Sequence, residues 1–124
     1  MVSPAPTPGP RRGEIWWARL DPTVGRDQAG LRPVAIVSAT TFNQGPRELV
    51  VVLPITRTRR NAPLHIEIAA SESGLPDTSY IMAEQVRSIS TGRILGRVPV
   101  GVLSRSTMDQ IQDRLIALLD IDVF

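Results

Sequence analysis

The sequence DPTVGRDQAGLRPVAIVS, residues Asp21–Ser38, joins a polar, turn-rich loop to an apolar strand and decides the fold class. The loop contains glycine, proline and aspartate, which favour turns, and the run after Arg32 is almost entirely apolar. Such a run is typical of a strand that is covered on both faces of a sheet. Pro33 favours an extended backbone at Arg32, so the strand is predicted to hold this arginine at its start, beside the loop.

More strands are predicted on either side of this one. They are Glu14–Leu20, Glu48–Ile55, Leu64–Ala69 and a longer strand near Ser79–Ile89. Pro54 interrupts the second of them, which suggests a bulge or a strand end at that point. Residues Thr40–Gly45 can form a helical turn, and Ser71–Asp77 is predicted to be a loop.

One segment, Ser104–Asp120, has helical spacing of its apolar residues. Ser106 with Asp109 three residues later resembles a capping arrangement at its start. The predicted apolar stripe consists of Met108, Ile111, Leu115, Leu118 and Leu119. Short strands separated by turns, followed by one amphipathic helix, predict a mainly β fold: a small β-barrel with a C-terminal helix packed on it.

The length of 124 residues predicts one domain, 12–124, preceded by a disordered Pro-rich tail at 1–11. No run reaches the roughly 18 apolar residues of a membrane span, and the tail lacks the apolar core of a signal peptide, so we expect a cytoplasmic protein with no membrane partner. The sequence contains no cysteine. That excludes disulfides, thiolate metal sites and cysteine nucleophiles.

The net charge of +2 conceals an asymmetry along the chain. Through Arg60 there are nine arginines and four acids, whereas the remainder has five arginines and eight acids. All basic residues are arginine, whose forked guanidinium suits phosphate oxygens. The basic half is therefore where we expect an anionic partner to bind.

Few residues offer conventional catalytic chemistry. His65, the one histidine, is predicted to be a surface or half-buried residue, and without a second histidine it makes a poor metal site. No metal ligands, nucleotide-binding loop or cofactor motif are evident. The candidates that remain are Arg32 and Thr56, the latter at the exit of a strand beside Arg57, Arg59 and Arg60. The alternatives without a catalytic role are that Thr56 simply ends a strand and that Arg57–Arg60 form a solvated loop.

Several motifs in order resemble the MazF/PemK family of toxin endoribonucleases. They are GEIWWARLDPTVGRDQAGLRPVAIVS, VVLPITRTRR, ESGLPDTSYIMAEQVRSIS and GRI. The resemblance extends from about Arg12 to Asp120, and the motifs are specific jointly rather than singly. The Pro-rich extension is the departure from the family, and no function is assigned to it.

This resemblance implies an SH3-like barrel of the MazF/Kid/CcdB type, assembled as a homodimer. It also implies a toxin that cleaves single-stranded RNA without a metal or other cofactor. The substrate 2′-hydroxyl attacks the adjacent phosphate and leaves a 2′,3′-cyclic phosphate and a 5′-hydroxyl. The family's catalytic arginine and threonine correspond to Arg32 and Thr56. The loop Asp21–Leu31 is expected to cover the RNA and to compete with a segment of a cognate antitoxin.

Sequence-specific binding of single-stranded RNA depends on stacking and on hydrogen bonds to base edges. The candidate substrate-binding residues are Thr23, Gly25, Asp27, Gln28, Arg57, Asn61, Asp77 and Ser79. Trp16 and Trp17 must point to opposite faces of a strand, one into the core and the other towards a base or a dimer interface. Glu14, Asp77 and Glu84 are possible acceptors of the 2′-hydroxyl proton.

Two other functions fit the same barrel. One is a CcdB-like toxin that binds and poisons DNA gyrase without catalysis, which would have no need of Arg32 and Thr56. The other is a non-catalytic RNA-binding barrel, against which the intact GLRP and PIT motifs argue.

Overall fold

A computed structural model describes residues 9–20 and 30–122. Within these ranges eight strands form one antiparallel sheet, accompanied by three helices. The strands are β1 (Glu14–Arg19), β2 (Leu31–Ile36), β3 (Leu49–Thr56), β4 (His65–Ile68), β5 (Ser79–Met82), β6 (Arg87–Ser90), β7 (Ile94–Leu95) and β8 (Gly101–Val102). The helices are α1 (Thr40–Asn43), α2 (Ala70–Ser73) and α3 (Arg105–Leu119). The predicted mainly β fold with a C-terminal helix is confirmed.

The order of neighbouring strands is β4-β5-β3-β2-β1-β7, with β6 paired to β3 and β8 paired to β1. Strand β3 changes its neighbour part-way along: Leu49–Val52 pair with β6, whereas Ile55 and Thr56 pair with β5. Of the two alternatives predicted for Pro54, a bulge or a strand end, the strand end is wrong, because β3 continues through this buried proline to Thr56. Proline lacks an N–H donor and is tolerated here because it lies where the neighbouring strand changes.

Alternate residues of the central strands contribute to two separate cores. Ile15, Ala35 and Leu53 belong to one core, which also includes Ile111 of α3. Ala18, Val34, Ile36 and Val52 belong to the other. Both faces of β2 and β3 are therefore covered, as predicted from their continuous apolar runs, and β1 also contributes to both cores.

Helix α3, Arg105–Leu119, falls within the predicted segment Ser104–Asp120, but its N-terminal cap lies two residues earlier than predicted. The side chain of Ser104 accepts a hydrogen bond from the Thr107 amide, which makes Ser104 the N-terminal cap. Ser106 lies inside the first turn, so its predicted capping role is wrong.

The carboxylate of Glu72, in α2, accepts hydrogen bonds from the Ser104 amide at 3.0 Å and the Thr107 hydroxyl at 2.7 Å. Partial burial raises the pKa of Glu72, but these hydrogen bonds outweigh it and hold the pKa below its ordinary value of 4.5.

The apolar stripe of α3 is covered over only part of its length. Ile111 is fully buried, and Met108 and Leu115 pack against the same core. Leu118 and Leu119 are exposed, the latter by 58%. The prediction is wrong for these two residues, because the last turn of the helix extends past the core.

Two other segments differ from the sequence prediction. The long strand expected over Ser79–Ile89 is divided into β5 and β6 by a 3-10 turn at Ala83–Gln85, whose residues have weak strand propensity. The loop expected at Ser71–Asp77 begins instead inside α2, which ends at Gly74 in the left-handed conformation.

Hydrogen bonds to α1 hold the segment that precedes β1. The Pro10 carbonyl, in a buried setting, accepts a hydrogen bond of 2.8 Å from the Asn43 side-chain amide. The Arg12 amide donates to the Thr40 hydroxyl at 3.1 Å. Helix α1 thus holds the residues that precede β1. No helix within residues 9–20 and 30–122 is long and apolar enough to cross a membrane.

Candidate active site

A groove with a volume of about 440 Å³ crosses the end of the sheet where β2 begins and β3 ends. Its lining combines apolar, cationic and hydroxyl-bearing side chains with one carboxylate. The lining residues are Trp17, Leu31, Arg32, Pro33, Ile55, Thr56, Arg57, Thr58, Leu75, Pro76, Asp77 and Ser79. Both sequence-predicted catalytic residues are among them.

The pairing of β2 with β3 places Arg32 and Thr56 together. The register aligns Val34 with Pro54 and Ala35 with Leu53. Continued by two residues, it sets Arg32 opposite Thr56 on adjacent strands, which lie about 4.8 Å apart in a sheet. Both residues are half-buried. A guanidinium and a hydroxyl thus share one end of the groove without being sealed in the core.

The Thr56 hydroxyl is oriented by its own turn. It accepts a hydrogen bond of 3.2 Å from the Thr58 amide. A hydroxyl has one donor hydrogen as well as two acceptor lone pairs. Accepting this bond therefore fixes the oxygen and leaves the O–H able to donate to a ligand in the groove.

The backbone that carries Arg32 is fixed at the base of the preceding loop. The Leu20 amide donates to the Gly30 carbonyl at 2.6 Å. Gly30 has φ +71°, and a Cβ atom there would lie 2.1 Å from the Leu20 carbonyl oxygen, so only glycine fits this approach. Immediately afterwards β2 pairs with β1, with Arg32 opposite Ala18. Gly30 therefore has a physical role at the base of the loop.

An exposed ion pair lies at the mouth of the groove. Arg57 Nη1 is 3.4 Å from Asp77 Oδ2, and the two side chains are 80% and 57% exposed. Ser79 lies close by, and its hydroxyl donates to the Asp77 carbonyl at 2.9 Å. Three of the predicted substrate-binding residues are therefore brought together.

Of the other predicted substrate-binding residues, only Asn61 lies in the described part of the chain, and it is not brought to this groove. Asn61 does not line it, and its side-chain oxygen instead accepts a 3.0 Å bond from Arg59 Nε. Four more predicted residues lie outside the described part of the chain: Thr23, Gly25, Asp27 and Gln28. Their role stays a prediction.

Of the three acids considered as proton acceptors, only Asp77 lines the groove. Glu14 Oε1 accepts bonds from the Arg11 amide and from Trp16 Nε1, away from the groove. Glu84 is 2.8 Å from His65 Nε2. His65 is half-buried, as predicted, although its side chain alone is only 5% exposed.

Sequence reasoning did not assign the apolar wall of the groove. Trp17 is 39% exposed and lines the groove, together with Leu75 and Pro76. Trp16 points to the opposite face and packs against the second core, as the alternation of a strand requires. The signal that distinguishes the two tryptophans is register, because Trp17 pairs with Pro33 beside Arg32.

Within residues 9–20 and 30–122 no group of three or more histidine, aspartate or glutamate side chains is arranged to hold a metal ion.

Comparison with known proteins identifies the family. The sequence profile of the PemK-like, MazF-like toxins of type II toxin–antitoxin systems matches residues 11–119. The chain belongs to this toxin family. It is 31% identical to endoribonuclease EndoA of Bacillus subtilis over 114 residues, covering 89% of this chain and 97% of that protein. It is 35% identical to endoribonuclease MazF9 of Mycobacterium tuberculosis over 117 residues, covering 90% and 97%.

A solved structure shows the same fold. It is a mycobacterial endoribonuclease in complex with its cognate antitoxin, superimposed with a TM-score of 0.70 at 23% sequence identity. The match covers 93% of this chain and 99% of that one. The antiparallel sheet with its C-terminal helix is therefore the barrel-like fold of the MazF toxins.

Proposed function

We propose that this PemK/MazF-family toxin is a sequence-specific endoribonuclease that cleaves single-stranded RNA by attack of the 2′-hydroxyl on the adjacent phosphate. The products are a 2′,3′-cyclic phosphate and a 5′-hydroxyl, formed without a metal ion. The observation that carries the proposal is the juxtaposition of Arg32 and Thr56 on adjacent strands in one groove. The endoribonucleases EndoA and MazF9, similar over nearly the whole chain, support it. Messenger RNA is the proposed substrate, with ribosomal and transfer RNA as the other possible targets.

The reaction suits a site with few catalytic groups, because the nucleophile belongs to the substrate. The protein has to align the attack and to stabilise negative charge on the pentacoordinate phosphorus. The Arg32 guanidinium can donate two hydrogen bonds to the non-bridging oxygens. Thr56 can donate a third through the O–H left available by its bond from Thr58.

Arg32 acts here as a fixed cation rather than as a base. A guanidinium keeps its charge at neutral pH and is therefore a poor general base. The charge of Arg32 stabilises the transition state most strongly in a partly water-excluded groove, because electrostatic interactions are stronger there than in bulk water. Charge stabilisation is accordingly its proposed role.

The binding of RNA is supported by the mixed lining of the groove. Trp17 presents an exposed indole on which a base can stack, and such stacking does not depend on base identity. Arg57, Arg59 and Arg60 are exposed on the segment that follows β3 and add positive charge at the groove's edge. This combination of aromatic face and basic rim is typical of proteins that bind single-stranded nucleic acid.

We further propose that a cognate antitoxin neutralises the toxin in the cytoplasm and that the toxin is a homodimer. The solved complex of a mycobacterial endoribonuclease with its cognate antitoxin supports a partner of this kind. An acidic or apolar antitoxin segment would dock across the basic groove. Truncated antitoxins that lack this segment should bind without inhibiting cleavage, and full inhibition by them would contradict the docking proposal.

The test is incubation of the purified protein with a long, structure-poor RNA in the presence of EDTA, followed by mapping of the new ends. We expect cuts at a short motif that end in 2′,3′-cyclic phosphates, and loss of these cuts in Arg32→Ala and Thr56→Ala. Arg105→Ala and Thr41→Ala, at exposed positions outside the groove, are the matched controls. Intact RNA with a folded wild-type protein would contradict the proposal and favour the gyrase-binding alternative.

A further inference from the structure

The two ends of the groove lie on opposite sides of the proposed catalytic pair. The strand order places β1, β2, β3 and β5 side by side, about 4.8 Å apart. Arg32 and Thr56 occupy the middle strands, β2 and β3. Trp17 lies on β1, whereas Asp77 lies two residues before the start of β5. A phosphate bound between Arg32 and Thr56 therefore has one flanking nucleoside towards the tryptophan and the other towards the carboxylate.

The backbone that presents Asp77 is anchored on both sides. On one side Leu75 is buried and its amide donates to the Ser73 hydroxyl at 3.0 Å. On the other side Ser79 is buried and its hydroxyl donates to the Asp77 carbonyl. Pro76 lies between Leu75 and Asp77, and its ring restricts the backbone dihedral angle φ at that position. Such a held backbone is what discrimination between similar ligands requires.

At the β5 end of the groove, the Arg57 and Asp77 side chains can turn towards a ligand at little cost to the stability of the fold. Register aligns Thr56 with Tyr80, so Arg57 falls opposite Ser79 when the pairing is continued by one residue. The Arg57–Asp77 pair is long, at 3.4 Å, and both side chains are largely exposed. Exposed pairs of this kind contribute little to stability. Replacing the contact by bonds to a base therefore costs the fold very little.

The chemistry of this pair selects one base. A carboxylate accepts two parallel hydrogen bonds, and guanine alone among the four bases has two adjacent donors on its Watson–Crick edge, N1–H and the N2 amino group. Guanine also presents O6 and N7 as acceptors, which suit an arginine fork. Resting on the proposed endoribonuclease activity, we propose that Asp77 and Arg57 read a guanine at the nucleotide on the β5 side of the cleaved phosphate. Trp17 stacks the nucleoside on the other side regardless of its identity.

The experiment uses the full-length protein and a randomised RNA, with the cleaved ends mapped by sequencing. For the wild type we expect guanine at one position next to the cut, favoured over other bases about 5- to 150-fold, as a bidentate contact implies. Replacing that guanine by inosine, which lacks the amino group, should reduce kcat/KM by about tenfold. Asp77→Asn should lose the preference and shift towards adenine, which asparagine recognises through N6 and N7. Asp113→Asn, on an exposed face of α3, is the matched control.

Three outcomes would overturn the inference while leaving the proposed activity in place. They are wild-type cleavage without guanine next to the cut, an unchanged motif in Asp77→Asn, and a uniform loss of cleavage at every sequence in that variant. The last would make Asp77 a proton acceptor rather than a base reader. Intact RNA after incubation with the wild type is a distinct result, because it would remove the proposed activity and this inference together.

Discussion

Substitution of Thr56 by valine isolates the hydroxyl that the proposed mechanism requires. Valine keeps the β-branched shape that suits the end of β3, so the strand and its pairing to β5 should persist. Two hydrogen bonds are removed: the bond accepted from the Thr58 amide and the bond proposed to the phosphate. Because Thr58 is exposed, its amide can turn to water, and the cost to stability should be at the low end of about 0.5–1.5 kcal/mol.

The cost to the reaction should be far greater than the cost to the fold. Loss of one donor to a developing oxyanion typically lowers the rate by about 100- to 1000-fold, or 2.7–4 kcal/mol. The assay is cleavage of a short single-stranded RNA containing the mapped motif, measured under single-turnover conditions, with a thermal melt on each protein. Thr56→Ser restores a donor and should recover most of the rate. Activity of Thr56→Val within tenfold of wild type would refute the argument that this O–H stabilises the transition state.

Three further predictions concern the fold and the RNA. Gly74→Ala should destabilise the protein by about 3 kcal/mol, because φ is +78° and the new Cβ would lie 2.2 Å from the Val100 carbonyl oxygen; an unchanged urea midpoint would contradict this. Glu72 has a lowered pKa, so its stabilising contribution should be present above about pH 4.5 and lost as the pH falls through the folded-state value. Glu72→Gln should lack that part of the pH dependence, measured by urea unfolding at about pH 7 and pH 3, whereas exposed Glu67→Gln should keep it. Trp17→Ala should weaken RNA binding by about 5- to 150-fold in a titration with uncleavable RNA, and Trp17→Phe should retain most affinity, whereas equal binding by both variants would exclude stacking.

The fold could be predicted largely because its main signals are local. The apolar runs of β2 and β3 are as short as buried strands usually are, and the spacing of Met108, Ile111 and Leu115 is helical. The errors occur where tertiary contacts decide. The N-terminal cap of α3 is Ser104 rather than Ser106, and Glu72, distant in sequence, accepts a hydrogen bond from the Ser104 amide. That contact leaves no pattern in the residues around the cap.

The site shows the same division between local and non-local information. Motifs identify Arg32 and Thr56, but only the antiparallel register sets them opposite one another, 24 residues apart in sequence. The register also places Trp17 in the groove. Residue type alone cannot predict this, because the neighbouring Trp16 is also a tryptophan. Asn61, close in sequence to Thr56, does not line the groove and bonds to Arg59 instead. Sequence proximity to a motif is therefore a weaker guide to substrate contact than position in the sheet.

The arrangement of β3 connects this fold to its proposed chemistry. Because the neighbour of β3 changes at Pro54, the residues just beyond it, Ile55 and Thr56, are bonded to β5 rather than to β6. That change brings the loop containing Asp77 beside the strand that carries Thr56 and opens the groove towards Arg57. A strand that kept β6 as its neighbour would leave Thr56 without the polar end of the groove. The proline that interrupts the sequence pattern thus lies at the point where a buried strand becomes one wall of a binding site.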